Sequence, residues 1–277
     1  MQKYGIAKYK HLIKLFRLLY CQVVVFFNFA SIININMRSF FPNLITLLNL
    51  LSGIFSILFS FYGHLDWAGY FIFLAVFFDF FDGFVARLLK VSSDIGKELD
   101  SLSDLVSFGV APAFLIFFVL VKVNEINFSL ALPSTILLLL FVPFIMPLFG
   151  AYRLARFNVQ HSKHSGFIGM PIPANAIFHA GIGILFSMQV GCEPFSPFVL
   201  TILIDINLLL FCFLMVSNIK MIAFKNMSRD LSSVFFQYLL IFFALIMLAT
   251  AGLFAIPLII YFYILLSIGK NLFFNKE

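Results

Sequence analysis

Long apolar runs separated by short polar links dominate the chain. From position 42 onward runs of about 20 residues recur, the length that carries an α-helix across a bilayer. The pattern predicts spans at 43–62, 67–89, 99–122, 131–152, 173–190, 197–216, 233–250 and 253–269. The fold class expected is all-α, a polytopic membrane bundle of about eight transmembrane helices.

The links alternate in charge. One set holds Arg38, then Arg87, Lys90 and Lys97, then Arg153, Arg156 and Lys163, then Lys220, Lys225 and Arg229, and finally Lys270 and Lys276. The other set holds Lys122 alone. Basic residues concentrate on the cytoplasmic side of membrane proteins, so both ends of the eight-span unit are expected in the cytoplasm. Residues 1–36 fit poorly. They carry Lys3, Lys8, Lys10, Lys14 and Arg17 before an apolar stretch broken by Gln22 and Asn28. A signal peptide would need a small-residue cleavage site, and none stands out. A span there would export the basic residues. An interfacial or dispensable extension is the favoured reading, with Met37–Arg38 resembling a natural start. The organisation expected is therefore an extension over 1–36, a core over 37–232, and two additional helices over 233–277.

Composition agrees. The chain is 62% apolar and 11% charged, with 41 Phe. A net charge of +6 belongs to the links between spans and does not indicate nucleic-acid binding. Cys21, Cys192 and Cys212 show neither metal spacing nor a disulfide framework.

Against this apolar background the acidic residues are concentrated. Six of the chain's 12 Asp and Glu lie between Asp79 and Asp104. Asp79 and Asp82 are three apart, Asp100 and Asp104 four apart, so each pair shares a helix face. Asp79, Asp82, Gly83, Ala86 and Arg87 fall within an arc of roughly 140° on an ideal helix. Gly96, Asp100, Ser103, Asp104 and Ser107 share one side of the next. The polar segment 91–94 between them can turn, which would set four carboxylates face to face. A hydrated acidic helix end explains one such Asp more simply. Four on two facing surfaces, beside small residues, call for a cation. An all-oxygen donor set suits magnesium or manganese rather than zinc, and two ions about 3.5–4 Å apart would form a phosphoryl-transfer clamp. Gly83 and Ala86 leave room for a ligand against the backbone. An ionised Asp near mid-bilayer costs about 2.5–3.5 kcal/mol, so Asp79 and Asp82 are expected to face a hydrated cavity or metal.

Other polar positions lie on the same membrane side. Asn43, Thr46 and Asn49 form a stripe on the first span, readable as a packing seam or as part of a site. Arg153 and Arg156 lie three apart. They serve either as anchors for a helix end or as a socket for an anionic group. His161 and His164 read as solvated, and the Gly and Pro residues of GFIGMPIPAN predict a fixed, irregular loop. Asp205 is mid-span, protonated or bonded to a neighbour such as Asn207. The last two spans carry no ionisable acid or base and read as scaffold.

Residues 79–104 read D-x2-D-G-x2-A-R-x8-G-x3-D-x3-D. This resembles the signature of the CDP-alcohol phosphatidyltransferase family without departure. The flanking PNLITLLNLLSG, SDLVSFGVAPA, GAYRLARFN and GMPIPAN look like the membrane-embedded bacterial phosphatidylserine synthases. The resemblance extends from about Pro42 to Asn175 and implies a six-helix core. It implies transfer of a phosphatidyl group from CDP-diacylglycerol to an alcohol, L-serine for the synthases, with release of CMP. By the same resemblance Asp79, Asp82 and Asp100 bind two Mg2+ or Mn2+ ions, while Asp104 touches a metal and acts as general base. It further implies that Asp82, Gly83, Ala86, Arg87, Ser93 and Gly96 contact CDP-diacylglycerol, with Asn43 and Thr46 lining the nucleotide pocket. Arg153 and Arg156 are the candidates for the carboxylate of the acceptor. The implied location is a bacterial inner membrane, with the site facing the cytoplasm. Such relatives often form homodimers, though no stretch of this sequence marks an interface.

Alternatives remain at this stage. Another family member, such as a phosphatidylglycerophosphate synthase, would share the signature. An intramembrane prenyltransferase would carry differently spaced acids. A cation transporter would place its carboxylates near mid-membrane on broken helices.

Overall fold

A computed structural model describes residues 37–126, 134–160, 169–188, 196–222 and 231–274. The expectations for residues 1–36, Cys21, His161, Lys163, His164, Cys192, Lys225, Arg229 and Lys276 lie outside the described residues. All regular elements among the described residues are helical. They are α1 (Met37–Phe61), α2 (Leu65–Leu88), α3 (Asp94–Asp104), α4 (Ala111–Val123), α5 (Ser134–Leu140), α6 (Ile145–Gln160), α7 (Ile172–Ser187), α8 (Pro197–Val216), α9 (Leu231–Ala251) and α10 (Ala255–Phe274). A wide π turn, Leu105–Val110, joins α3 to α4, and short 3-10 turns join α5 to α6 and α9 to α10.

Five stretches among the described residues are long and apolar enough to cross a membrane: Ser39–Phe61, Asp94–Val123, Thr135–Val159, Pro197–Val216 and Phe235–Asn271. The last is a pair of helices. Gly252, with φ of +55°, breaks it, and stacking of Phe243 on Phe262 at 3.8 Å closes α9 against α10. The 24-residue α2 is also long enough to span, at about 1.5 Å rise per residue. With the shorter apolar α7, Ile172–Ser187, the described helices make the eight passes expected of an integral membrane bundle. The span expected at 131–152 is broken at Val142–Phe144. Pro143 and Pro147 remove backbone donors there, and the helix restarts at Ile145.

α1 shows why the bundle holds together in lipid. Its buried positions are small or polar: Pro42, Thr46, Asn49, Ser52, Gly53, Ser56 and Ser60. Its exposed positions are large and apolar: Phe41, Leu44, Leu47, Leu51, Ile54, Phe55 and Leu58. The helix is amphipathic in the inverted sense, with the greasy face outward. Small residues allow close backbone approach where no hydrophobic effect drives helices together. A Cβ on Gly53 would lie 2.5 Å from Ser107 Oγ, so α1 and the π turn touch through the missing side chain. α1 also packs on α2, α3 and α4, while α2 packs on α7, α6 on α8, and α10 on α7.

The ends of the helices segregate as the basic links predict. Asn158 Nδ2 at the end of α6 donates to Ser101 Oγ of α3 at 2.9 Å. Asn271 Nδ2 near the end of α10 donates to the Lys220 carbonyl past α8. At the opposite end, Asn124 Nδ2 after α4 donates to Thr201 Oγ1 near the start of α8 at 2.8 Å. Arg87, Lys90, Lys97, Arg156, Lys220 and Lys270 thus belong to one end of the bundle and Lys122 to the other.

Candidate active site

The site grows from the α2–α3 corner. α2 ends at Leu88, and the chain turns through Leu89–Ser93, with Lys90 in the left-handed region at φ +53°. Ser93 then caps α3, its Oγ accepting from the Gly96 amide at 3.0 Å. That cap fixes where α3 begins and therefore where Asp100 and Asp104 point.

Asp79, Asp82 and Asp100 converge. Each offers a carboxylate oxygen, and the three oxygens all lie within 4.8 Å of one another. Asp104 stands just outside this triad, against Asp79. The four acids expected to face one another therefore form a group of three with a fourth alongside. Two neutral donors hold the outer members. Thr46 Oγ1 donates to Asp82 Oδ2 at 2.7 Å, and Asn49 Nδ2 donates to Asp104 Oδ1 at 3.2 Å. Asn49 is held in turn by Ser107, whose Oγ donates to the Asn49 carbonyl at 3.0 Å. The polar stripe of α1 is therefore part of the site as well as a packing seam. Asn49 has a contact to an acid that the sequence reading did not assign to it, although its spacing from Thr46 was the available signal.

The residues fit a divalent cation. The donors are all carboxylate oxygens, which suits a hard ion. Asp100 Oδ1 is buried without a hydrogen-bond partner, the condition of an oxygen reserved for a metal or water. Acids this close, away from bulk water, repel strongly unless a positive charge joins them.

Beside the triad opens a cleft of about 170 Å3. Asn43, Thr46, Asp82, Gly83, Ala86, Ser93, Gly96 and Asp100 line it. Gly83 is open: nothing lies within 4 Å of a Cβ placed on it. Gly96 is closed, since a Cβ there would meet Ser93 Oγ at 2.9 Å and Asn43 Oδ1 at 3.0 Å. The two glycines thus differ in purpose, one leaving space in the cleft and one letting α3 approach α1. Arg87 lies apart from these lining residues. It is exposed, and its Nε donates back to the Gly83 carbonyl at 2.9 Å.

Arg153 and Arg156, expected to share a face, part company. Arg153 is only 8% exposed. Its guanidinium stands 5.3 Å over the Phe157 ring, and Asp104, Tyr263 and Asp79 are its electrostatic neighbours. Arg156 turns outward, donating to the Val216 carbonyl at 2.9 Å and to Asn218 Oδ1 at 2.6 Å. It fastens the chain leaving α8. The loop before α7 is fixed as expected over its described part. Gly169, at φ +78°, donates to the Ile219 carbonyl, and Met170 donates to the Leu214 carbonyl. Asp205 is buried on α8 with both carboxylate oxygens unpartnered. Its suggested partner Asn207 instead donates to Tyr261 Oη.

Comparison with known proteins bears on this arrangement. The family model for CDP-alcohol phosphatidyltransferase matches residues 39–211. A protein of Methanocaldococcus jannaschii named CDP-diacylglycerol–serine O-phosphatidyltransferase is 37% identical over 182 residues, 66% of this chain and 73% of that protein. Its namesake in Bacillus subtilis is 36% identical over 192 residues, 69% of this chain and 95% of that protein. Another namesake, in Helicobacter pylori, is 34% identical over 214 residues, 76% of this chain and 83% of that protein. With more than half its length matched by the family model, and with the acids of the signature gathered at one cleft, this chain belongs to the CDP-alcohol phosphatidyltransferase family.

Proposed function

We propose that this protein is a phosphatidylserine synthase, transferring the phosphatidyl group of CDP-diacylglycerol to the hydroxyl of L-serine and releasing CMP. The observation that carries the reading is the carboxylate triad with Asp104 alongside, in a chain whose similar proteins are named for serine as acceptor. Asp79, Asp82 and Asp100 would hold two divalent cations of the magnesium or manganese type, with Asp104 touching one. When bound, such cations supply charge neutralisation at the bridging and leaving oxygens of a pyrophosphate.

The chain's own residues divide the remaining tasks. Asn43, Thr46, Gly83, Ala86, Ser93 and Gly96 wall the cleft that takes the CDP part. Thr46 also orients Asp82 through its 2.7 Å hydrogen bond. Asp104 accepts the proton of the serine hydroxyl, and Asn49 fixes its carboxylate. The serine oxygen–phosphorus bond forms as the phosphorus–oxygen bond to CMP breaks, and the hydroxyl proton passes to Asp104. Arg153 offers its charge to the serine carboxylate. Arg156, engaged by the Val216 carbonyl and Asn218, supports the framework, and Arg87, exposed one turn from Gly83, is a cation for the CDP part. The location proposed is the cytoplasmic membrane of a bacterium, with the cleft on the cytoplasmic side, supported by the gathering of basic residues at that end.

The test is release of CMP from CDP-diacylglycerol by purified protein with a single acceptor supplied at a time. Serine should support release, and glycerol 3-phosphate should not. The reverse result would assign the chain to another acceptor within the family.

A further inference from the structure

The cleft beside the triad contains a cation of its own. Among the described residues that line it, Lys97 is the one with a positively charged side chain, and it shares the cavity with Asp82 and Asp100. Ser93, Lys97, Asp100 and Asp104 follow one another along α3 at steps of four, three and four, so the cap, the lysine and the two acids occupy one side of the helix. Lys97 is 68% exposed, and its Nζ stands 3.6 Å from Asp94 Oδ1. At that distance the contact is a charge pair rather than a hydrogen bond. Asp94 is itself fully exposed in the first turn of α3. An exposed pair of this kind adds little to stability, and water or another anion exchanges with it at little cost. The ammonium is therefore kept in the cleft without being consumed there.

The order of these residues along α3 gives the cation a direction. At about 1.5 Å per residue, Lys97 lies about 4.5 Å outward of Asp100 and about 10 Å outward of Asp104, toward the end of the bundle that carries the basic links. In a displacement at phosphorus the attacking and leaving oxygens stand in line on opposite sides. Asp104, which receives the hydroxyl proton, marks the side of attack. Lys97, across Asp100 from it, is on the side of departure. As the phosphorus–oxygen bond to CMP breaks, negative charge grows on the phosphate that leaves with the nucleoside. A lysine ammonium is a compact charge with three rotatable donors, suited to a phosphate that moves during the reaction. Arg87 meets the CDP part from α2, and Lys97 meets it from α3.

We infer that Lys97 binds the phosphate that leaves as CMP, exchanging Asp94 for it when the nucleotide enters the cleft. This rests on the reading of the cleft as the CDP site and adds to it the residue that receives the leaving group.

The experiment uses the full chain purified in detergent, with magnesium held constant, and measures binding of labelled CMP by equilibrium dialysis. Lys97→Met keeps the reach of the side chain and removes its charge. The Kd for CMP should rise at least about threefold, the scale of one charge contact exposed to water. Its melting temperature should match wild type, because the ammonium is exposed and its one ion pair is loose. Lys97→Gln repeats the measurement in case the methionine variant does not fold. Lys90→Met is the comparison, since it removes the same charge from the neighbouring turn at a position that does not line the cleft. Its Kd for CMP should stay at the wild-type value. Two results overturn the inference: a rise smaller than about threefold on removing the Lys97 charge, or an equal rise in Lys90→Met, which would assign the effect to surface charge in general. Failure of the underlying reading looks different. Wild-type protein that does not bind CMP rejects the cleft as the nucleotide site, whereas wild-type binding left unaltered by Lys97→Met rejects the role of Lys97 alone.

Discussion

In the proposed reaction Asp104 takes the hydroxyl proton, since it stands beside the carboxylate triad rather than within it. Asp104→Asn preserves the shape and the Asn49 contact with an amide. Turnover should fall by about 10²–10⁴-fold, the usual worth of a general base, while CDP-diacylglycerol still binds in an equilibrium assay. Near-normal turnover would remove Asp104 from that role. Gly83 and Gly96 make a sharper pair, since the structure separates their functions. Gly83→Ala meets no atom of the protein, so its melting temperature should stay near wild type while the KM for CDP-diacylglycerol rises. Gly96→Ala must push Ser93 and Asn43 aside and should lower the melting temperature by several degrees. If the two variants behaved alike, the cleft beside Gly83 would not be the nucleotide site. At this scale the sequence was most legible. The spacing of the four acids and the two glycines already specified facing helices. The parting of Arg153 and Arg156 was not legible, because three residues on an ideal helix subtend about 60°. Which of two such neighbours turns inward depends on partners, here Val216 and Asn218, more than fifty positions away.

Among elements, the π turn Leu105–Val110 has the largest effect on geometry. An extra residue in one turn rotates everything beyond it relative to an uninterrupted helix, and such turns recur at functional sites. Here it immediately follows Asp104 and carries Ser107, which secures Asn49. Nothing in LVSFGV announces it, since the turn is packed by distant partners, α1 against Ser107 and Pro147 of α6 against Gly109, rather than set by a local preference. Gly53→Val tests that packing. Its Cβ would already fall 2.7 Å from the Ser107 Cα, and added methyls must separate α1 from the turn. The melting temperature should drop markedly, and activity should fall with it as Asn49 leaves Asp104. An active, stable variant would show that this contact is not required. The break at Val142–Phe144 interrupts a run whose hydropathy is continuous, and Pro143 and Pro147 are its only marks in the sequence.

For the molecule as a whole, the claim is directional and metal-linked. Single cysteines in place of Lys97 and Lys122, in a background lacking the three native ones, report sidedness. An impermeant maleimide should label position 97 from the cytoplasmic face and position 122 from the other. The opposite labelling would invert the bundle. Chelation should abolish CMP release, with recovery on adding magnesium or manganese, since without cations the triad has no positive charge to hold a pyrophosphate. Activity indifferent to chelators would remove the metal reading altogether. The all-helical membrane class was legible in hydropathy, and the gathering of acids in the spacing of Asp79, Asp82 and Asp100. The hold of α10 on the chain after α8 was not, because Tyr263, Ser267 and Asn271 look incidental in a mostly apolar 20-residue helix until their bonds to that chain are seen.

The inverted amphipathicity of α1 has a consequence for biogenesis. Thr46, Ser52 and Ser60 bond back to carbonyls of α1 itself, but the Asn49 amide donates to Asp104 of α3, and α1 alone among acyl chains would leave that amide without its acceptor. The helix is better retained beside the insertion machinery until α2 and then α3 emerge. The nascent α1–α2 pair brings Thr46 to Asp82 before most of the chain has been synthesised, so the first half of the catalytic centre is a product of co-insertion.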